Sequence, residues 1–235
     1  MDSYRQFCPV AQAAEIITRK WMPLVIRELL CGGHRFNELH RGMPRISRSL
    51  LARRLVELEE ACVIERRLTG GDAHPEYHLT QAGRELQPLI EQLGVWGKRW
   101  ARSELSREDL DASLLMWDMQ RRIRLDCIPA DRVVIYFHFY DAEVEQQHYW
   151  LILDEGAADL CFRDVGYDED LYVHSDVRSL TEVWVGDRGL AQALQDESIR
   201  IGGNADLKRG FPEWLGLSEF AGIERMRRAY PPAPK

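Results

Sequence analysis

Hydrophobic residues in the first hundred positions recur at helical spacing, in segments that glycine- and proline-containing turns separate. Ser47 is a suitable N-cap for the fourth of these segments, and two β-rich segments joined by a glycine turn follow it, which predicts a hairpin. This order of elements is the layout of a winged helix-turn-helix domain. The predicted helices lie at 11–17, 21–30, 35–40, 47–61 and from Thr80 to about 100, and the strands at 63–68 and 76–79.

The predicted helix at 47–61 is amphipathic, and its apolar arc must face the core. The opposite arc carries guanidinium, hydroxyl and small apolar groups, which contact guanine edges and the thymine methyl in a major groove. Arg54 falls within the apolar arc and is interpreted as an ion pair or a phosphate contact at the edge of the core. The apolar arc comprises Leu50, Leu51, Leu55, Leu58 and Ala61, and the opposite arc Arg48, Ser49, Ala52, Arg53 and Val56.

Further arginines lie close to this helix in the sequence, where they would meet the DNA backbone. Some flank the turn before the helix, whereas Arg66 and Arg67 are adjacent in the first hairpin strand and point to opposite faces, so only one can face DNA. The alternative is that these arginines are solvated surface charges. The predicted DNA contacts are Arg35, Arg41, Arg45, Ser47, Arg48, Ser49, Ala52, Arg53 and Arg67.

Charge is divided unevenly along the chain, with a net +4 over residues 1–102 and −11 over residues 103–235. A basic segment joined to an acidic one is typical of a polyanion-binding module attached to a different kind of domain. The five cysteines and seven histidines have no metal-ligand spacing, and Walker, GxGxxG and GxSxG motifs are absent, so neither metal, cofactor nor enzymatic activity is expected. Without a signal segment or a long apolar run, a cytoplasmic location away from membranes is expected.

Four motifs then occur in order: CPV at 8–10, KWMPLVIRELL at 20–30, RFNELHRGMPRISRSLLARRLVELEEACVIERR at 35–67 and EYHLTQAGREL at 76–86. Together they resemble the HxlR family of bacterial transcriptional regulators. The resemblance implies a winged-helix homodimer on an inverted-repeat operator, with 47–61 as the DNA-reading helix and dimer contacts in the N-terminal stretch and the helix at 80–100. Ala61-Cys62 stands where the family often has glycine, so a local difference is expected there. The resemblance also makes Cys8 a redox-sensing candidate, although a role as a small buried packing residue is favoured.

The second half changes from helical to alternating spacing after Pro129, and strands precede helices, which indicates an α+β sheet layered by helices. A capping box formed by Ser106 and Asp109 predicts a linking helix at 106–122 with Leu110, Leu114 and Trp117 on one face. The predicted strands lie at 133–139, 149–153, 159–163, 171–175 and 199–201, and the helices at 180–185, 190–194 and 205–215.

Four runs resemble the sterol carrier protein-like fold over about residues 118–222: DRVVIYFHFYD at 131–141, YWLILDEGAADLCFRD at 149–164, DLYVHSDVRSLTEVWVGDRGLAQAL at 170–194 and ADLKRGFPEWLG at 205–216. The resemblance implies a hydrophobic tunnel between sheet and helices that binds lipids or other apolar molecules. The alternative is that these aromatic residues form a filled core. The candidate tunnel residues are Phe137, Phe139, Trp150, Trp184, Leu194 and Trp214.

The sequence therefore predicts a winged-helix DNA-binding domain at 1–102, a connector at 103–129 and a sterol carrier protein-like α+β domain at 130–235. The expected function is that of a homodimeric transcriptional regulator whose operator affinity responds to an apolar small molecule or lipid. Repression is the expected direction of regulation. A second hypothesis is an apolar-ligand binding protein whose first domain serves mainly for dimerisation. An enzyme using Asp154, Asp164 and Asp168 is disfavoured, because acidic residues near turns are common for local reasons.

Overall fold

The computed structural model describes residues 3–68, 74–101, 105–128 and 132–226. The chain divides into two compact units, Met1–Gly94 and Val95–Lys235. Each unit contains its own cluster of buried hydrophobic side chains. Among the described residues, every helix is too short or too polar to cross a membrane. The finer domain limits at 102 and 129 stay predictions.

The first unit has the winged helix-turn-helix layout that the sequence predicts. Its two strands pair antiparallel, with Ile64 opposite Leu79 and Arg66 opposite Tyr77. The predicted turn at 70–72 lies outside the described residues. The elements are α1 (Pro9–Ile17), α2 (Met22–Leu30), α3 (Phe36–Arg41), α4 (Arg48–Glu60), β1 (Ile64–Leu68), β2 (Pro75–Leu79), α5 (Gln81–Arg84) and α6 (Gln87–Trp96).

The long helix predicted from Thr80 is interrupted, and that prediction was wrong in this respect. Thr80 does cap a helix, since its side chain accepts a hydrogen bond from the backbone N–H of Gly83. Helix α5 ends at Arg84, however, and α6 starts at Gln87, one residue before Pro88. Pro88 lacks the N–H that would bond to the carbonyl of Arg84, four residues earlier, and its ring crowds that carbonyl, which accounts for the break. A π-helical turn, Gly97–Ala101, follows α6.

The end of α4 keeps a left-handed backbone without glycine. Cys62 has φ +56°, and the backbone N–H groups of Cys62 and Val63 donate to the carbonyls of Glu59 and Leu58. This pair of hydrogen bonds is the Schellman arrangement, which glycine normally completes at the left-handed position. The departure from the family pattern therefore leaves the geometry intact and places a strained cysteine in it.

A buried carboxylate of α2 fixes the turn between α3 and α4. Glu28 is completely buried, and its Oε1 lies 2.6 Å from Nη2 of Arg27, which also donates to the carbonyl of Gly42 at 3.1 Å. A Cβ atom at position 42 would lie 1.9 Å from Oε2 of Glu28. Only glycine leaves room for this carboxylate, so Gly42 and Glu28 specify one another.

The second unit is an α+β layer built on a five-stranded sheet of order β5-β4-β3-β6-β7. All neighbouring strands are antiparallel except β3 and β6, which are parallel. The elements are α7 (Ala112–Gln120), β3 (Arg132–Phe139), β4 (His148–Asp154), β5 (Ala157–Cys161), β6 (Leu171–Ser175), α8 (Val177–Trp184), α9 (Leu190–Gln195), β7 (Ile199–Gly203) and α10 (Ala205–Trp214).

The inward face of this sheet forms the core with the helices. Phe137 and Phe139 of β3 are buried, as the alternation predicts, together with Leu180 of α8 and Phe211 and Trp214 of α10. The opposite face carries Tyr136 and His138 from β3, both half-exposed. The two faces of one strand thus separate the core from a second surface.

The linking helix buries a different face from the predicted one. Leu110 lies outside the helix, because the Ser106–Asp109 capping box opens only a short 3-10 turn. The helix proper starts after Asp111, whose side chain accepts from the backbone N–H of Leu114. Leu114 and Trp117 are half-exposed. The buried positions are instead Ala112, Leu115, Met116 and Met119, which recur at helical spacing from the true start.

An ion-pair network within the second unit anchors the π-helical turn. Nζ of Lys98 pairs with Asp187 and donates to the carbonyl of Val185 at 2.7 Å, and the Lys98 side chain is only 7% exposed. Both carboxylate oxygens of Asp187 also accept from Arg225 at 2.7 Å. Burial alone would raise the pKa of Asp187, but the hydrogen bonds from Arg225 and Lys98 outweigh it and lower the pKa.

Candidate nucleic-acid interface

Helix α4 presents a continuous outward surface at its N-terminal half. Ser47 caps it, because its Oγ accepts from the backbone N–H of Leu50 at 3.3 Å. Leu51, Leu55 and Leu58 are buried, and this burial turns the opposite side of the helix to solvent. The exposed residues are Ser47, Arg48, Ser49, Ala52, Arg53 and Val56, which includes every predicted base contact on this helix.

Arg48 is held in place by α3. Its Nη1 donates to Oδ1 of Asn37 at 3.1 Å, and its guanidinium lies 5.7 Å from the ring centre of Phe36. A guanidinium oriented by a hydrogen bond and an aromatic ring loses less entropy when it binds a further acceptor. Neither Asn37 nor Phe36 was found by sequence reasoning, since nothing in the helical spacing relates them to Arg48.

Arg45 and Arg53 differ from Arg48 in having no hydrogen bond or ion pair among the described residues. Both are exposed, so their five guanidinium N–H groups each remain available to an external acceptor. Arg54 instead forms an ion pair with Glu57 at 2.6 Å and donates to the carbonyl of Lys20 at 3.0 Å. Its guanidinium braces α4 against the core, as its place in the apolar arc predicts.

The predicted phosphate contacts on α3 border a cleft of about 300 Å³ next to β2. Arg35 and Arg41 line the cleft together with His74, and Arg35 lies 3.4 Å from Glu76. Both arginines are exposed, although Glu38 and Glu76 share the cleft. Two arginines therefore face two carboxylates, so the cleft lining has no excess of cations with which to attract an anion.

The hairpin offers less than the sequence suggests. Arg67 is exposed but is ion-paired with Glu65, which lies two residues away on the same face of β1. Arg66 points to the other face and is exposed with no ion-pair partner in the part of the chain described. Arg66 is therefore the uncommitted cation of this strand, a difference that only the position of Glu65 reveals.

The interface as a whole joins the N-terminus of a helix to a set of permanent cations. Arginine stays protonated at all physiological pH values, and a helix N-terminus adds a partial positive charge. Glu59 and Glu60 keep the C-terminal end of α4 acidic. The arrangement can bind a polyanion with the first two turns of α4 directed at it.

The six predicted ligand-binding residues of the second unit do not line one cavity. Phe137, Phe139 and Trp214 are buried in the core, whereas Trp150 lies on the opposite face of the sheet, because it is paired in register with Tyr136. Trp184 and Leu194 are half-buried at the edge of the core. The grouping of Trp150 with the other five was wrong, since the alternation of β4 turns it away.

Cys8 lies immediately before α1, where it is the N-cap residue and is half-buried. Its carbonyl accepts a hydrogen bond from the backbone N–H of Gln12, and its side chain makes no capping hydrogen bond. A partly accessible thiol is compatible with either of the two predicted roles.

Comparison with known proteins identifies the first unit. Residues 16–105 match the HxlR-like helix-turn-helix family. The uncharacterized HTH-type transcriptional regulator YvaP of Bacillus subtilis is 32% identical over 97 residues, which cover 40% of this chain and 90% of that relative. The chain belongs to the HxlR family. Its HxlR region is a DNA-binding domain of transcriptional regulators.

The chain is also similar to other proteins. The HTH-type transcriptional regulator YodB of Bacillus subtilis is 33% identical over 95 residues, covering 40% of this chain and 85% of YodB. Among solved structures, the redox regulator HypR in its reduced form is 33% identical and covers 38% of this chain and 90% of HypR, with a TM-score of 0.37. The HxlR family match ends at residue 105 and leaves most of the second unit outside it.

Proposed function

We propose that this HxlR-family chain is a sequence-specific transcriptional repressor that binds an inverted-repeat operator as a homodimer. The observation that carries the proposal is the outward face of α4, where Arg48 is pre-oriented and Arg53 is unpaired beside Ser49 and Ala52. Arginine reads guanine through a bidentate contact, and small apolar side chains contact the thymine methyl. Arg35, Arg41, Arg45 and Ser47 would contact phosphates around this helix, with Arg66 or Arg67 from the hairpin.

An unpartnered apolar surface supports the homodimer. Leu89, Leu93 and Trp96 are 40%, 47% and 60% exposed and lie at helical spacing on one face of α6. Phe7 and Val10 are also highly exposed at the start of the chain. Large apolar side chains in such numbers are typical of an interface. In a dimer, the two copies of α4 would enter successive major grooves about 34 Å apart.

The ligand-responsive part of the proposal concerns the second unit. An apolar small molecule or lipid would enter beside Trp184 and Leu194, at the edge of the sterol carrier protein-like core. The indole Nε1 of Trp184 is buried with no hydrogen-bond partner among the described residues, and a ligand oxygen would satisfy it. Such a ligand changes operator affinity only if it binds the DNA-competent state and another state unequally.

Cys8 is proposed as a redox-sensing residue, with two relatives as support. HypR is described as a redox regulator, and YodB has been solved after diamide treatment. Oxidation of this partly accessible thiol before α1 would change the segment that also carries Phe7 and Val10. Diamide should then weaken operator binding by the natural chain and leave Cys8→Ser unaffected.

The decisive experiment selects an operator from random DNA and measures binding by fluorescence anisotropy. Arg53→Ala should weaken specific binding by about 1–3 kcal/mol and relax base preference at one position. Arg209→Ala, which removes an exposed arginine from α10 in the second unit, is the matched control and should have no effect.

The salt dependence separates base contacts from phosphate contacts. Arg45→Ala should lower the slope of log K against log salt concentration by about 0.9, because one fewer counterion is released. An equal loss for Arg53→Ala on operator and on random DNA would reduce Arg53 to a phosphate contact. A chain that selects no sequence at any salt concentration would favour the ligand-binding alternative, in which the first unit serves for dimerisation.

A further inference from the structure

The outward side of the second sheet carries a continuous cluster of rings, which we call the open face. Its residues come from the three central strands β4, β3 and β6, and all are half-exposed. Strand register places His148, His138 and His174 in one row and Trp150, Tyr136 and Tyr172 in the next. The solvent-facing side of a sheet normally carries small polar or charged residues, so six adjacent rings on such a face are unusual.

The rings hold one another upright. His138 and His148 are parallel within 6° at 5.1 Å between centroids, and Tyr136 is parallel to both within 11°. His174 is perpendicular to His138, and their Nδ1 atoms lie 3.2 Å apart. The hydroxyl of Tyr136 lies 2.6 Å from Nδ1 of His148. Because these side chains stand on the sheet side by side, they present ring edges outward.

Ring edges and imidazole N–H groups are electropositive. An aromatic quadrupole is negative on the face and positive at the edge, so upright rings attract the flat face of another aromatic molecule. Burial and the neighbouring imidazoles of His148 and His174 lower the pKa of His138, which keeps that ring neutral near pH 7 and able to donate or accept.

The charge at the end of the histidine row is positive. Arg200 of β7 is paired in register with His174 and is exposed, with no ion pair among the described residues. Glu169 accepts from the indole of Trp150 and Asp176 accepts from the hydroxyl of Tyr140, and both carboxylates keep their negative charge, so the open face favours an anion only beside Arg200. Although the second unit has a large excess of acidic residues, Arg200 lies beside the rings without an ion-pair partner among the described residues.

A metal ion does not fit this cluster. In the described part of the chain, no group of three or more His, Cys, Asp or Glu side chains has the geometry to hold one. The parallel rings of His138 and His148 direct their nitrogens along separate lines, which leaves only the His138 and His174 pair. Two ligands are fewer than a stable protein site for a transition metal requires.

We propose that the open face binds a planar aromatic carboxylate, whose ring system lies across the edges of Tyr136, His138 and Tyr172 and whose carboxylate pairs with Arg200. The distance from β3 across β6 to Arg200 on β7 covers two strand spacings, or about 10 Å, which matches the length of a two-ring aromatic acid. This site lies on the opposite side of the sheet from the apolar site proposed beside Trp184, so either can fail without the other.

The test is calorimetric titration of the full chain with 2-naphthoate in the absence of DNA. The saturated decahydro-2-naphthoate has the same charge and a similar length, but no aromatic face, and should bind at least about tenfold more weakly. Arg200→Gln should weaken naphthoate binding about tenfold, because it removes a hydrogen-bonded charge pair. Arg209→Gln on α10 is the matched control and should change the affinity less than about twofold.

Imidazole 15N spectra locate the ligand independently. Naphthoate should shift the signals of His138, His148 and His174 and leave those of His34 and His78, in the first unit, unchanged. Failure of naphthoate to bind at millimolar concentration, equal binding of the saturated acid, or unchanged affinity in Arg200→Gln would overturn the proposal. Dissociation of an oligomer on naphthoate addition would instead assign the open face to contact with a second copy.

Discussion

The outward face of α4 and the open face of the second sheet are both the solvent-facing side of an amphipathic element. They differ in how far their side chains find partners within the chain. On α4, long flexible side chains extend from the surface, and Arg45 and Arg53 close to its start have no partner among the described residues. On the open face, each ring contacts another ring and the imidazoles share hydrogen bonds. The guanidinium groups of the first surface therefore keep free hydrogen-bond donors, whereas the rings of the second surface mostly contact one another.

This difference indicates two kinds of recognition. Unpaired arginines release counterions when they meet a polyanion and adapt to an irregular chain of phosphates. A rigid set of rings loses little entropy on binding and suits a small ligand of one shape. The predictions below test whether stability and binding are divided between the surfaces in this way.

The largest effect is expected behind the open face. Phe137→Ala should destabilise the second unit by about 3–5 kcal/mol, because it leaves a cavity in the core. Ile152→Ala, on the open side of the same sheet, should cost clearly less since Ile152 is only half-buried. Urea unfolding followed by tryptophan fluorescence measures both. Equal losses would mean that the open face contributes to stability as the core does.

Paired and unpaired charges should respond differently to truncation. Asp187→Asn should cost about 1–3 kcal/mol of unfolding free energy, since it leaves the nearly buried ammonium of Lys98 without its anion. Arg53→Ala should leave the unfolding free energy within about 0.5 kcal/mol while weakening DNA binding. Thermal unfolding of the two variants makes the comparison, and a stability loss for Arg53→Ala would contradict the description of its side chain as uncommitted.

A gain of stability is expected at the end of α4. Cys62→Gly should stabilise the first unit by about 1 kcal/mol, because glycine adopts the left-handed backbone of position 62 without strain. Cys62→Ser keeps the strain and is the control. The outward face of α4 is unchanged by either substitution, so operator affinity should stay constant. A glycine variant that is no more stable than the serine variant would show that the position is relaxed.

The smallest effect concerns pH and the open face. The pKa of His138 is lowered below the ordinary 6.5, so the unfolded chain binds a proton that the folded chain resists. Stability should therefore fall as pH drops through 6.5, because burial and the neighbouring imidazoles of His148 and His174 disfavour protonation of His138 in the folded chain. His138→Gln should flatten this dependence, which melting temperatures at pH 7.5 and 5.5 would measure. A constant melting temperature in the natural chain would contradict the mutual packing of the imidazoles.

Sequence reasoning was most reliable where the signal was local. The cap at Ser47, the buried leucines of α4 and the alternation of β3 follow from spacing, and the structure contains them close to the predicted bounds. The tertiary partners of these elements have no such signal. The orientation of Arg48 by Asn37 and the neutralisation of Arg67 by Glu65 depend on rotamers and on neighbouring elements, which the spacing of one segment does not encode.

The same limit explains the errors. Trp150 was assigned to the predicted tunnel because it is large and aromatic, although the alternation of its own strand places it on the opposite face of the sheet. Leu110 was included in the face of α7 because a capping box was taken as the start of a full helix, whereas it opens a single turn. In both cases a local signal, aromatic character or a capping box, was given more weight than the position of the residue within its helix or strand.

The buried contact between Glu28 and Gly42 has a consequence for retargeting this chain to other DNA. The contact fixes the turn that leads from α3 to α4 and lies apart from the outward positions of α4. Those positions can be exchanged to favour a different operator while the supporting turn is kept unchanged. Position 42 itself tolerates no such exchange. Gly42 must therefore be kept in any variant whose outward α4 residues are changed to recognise different DNA.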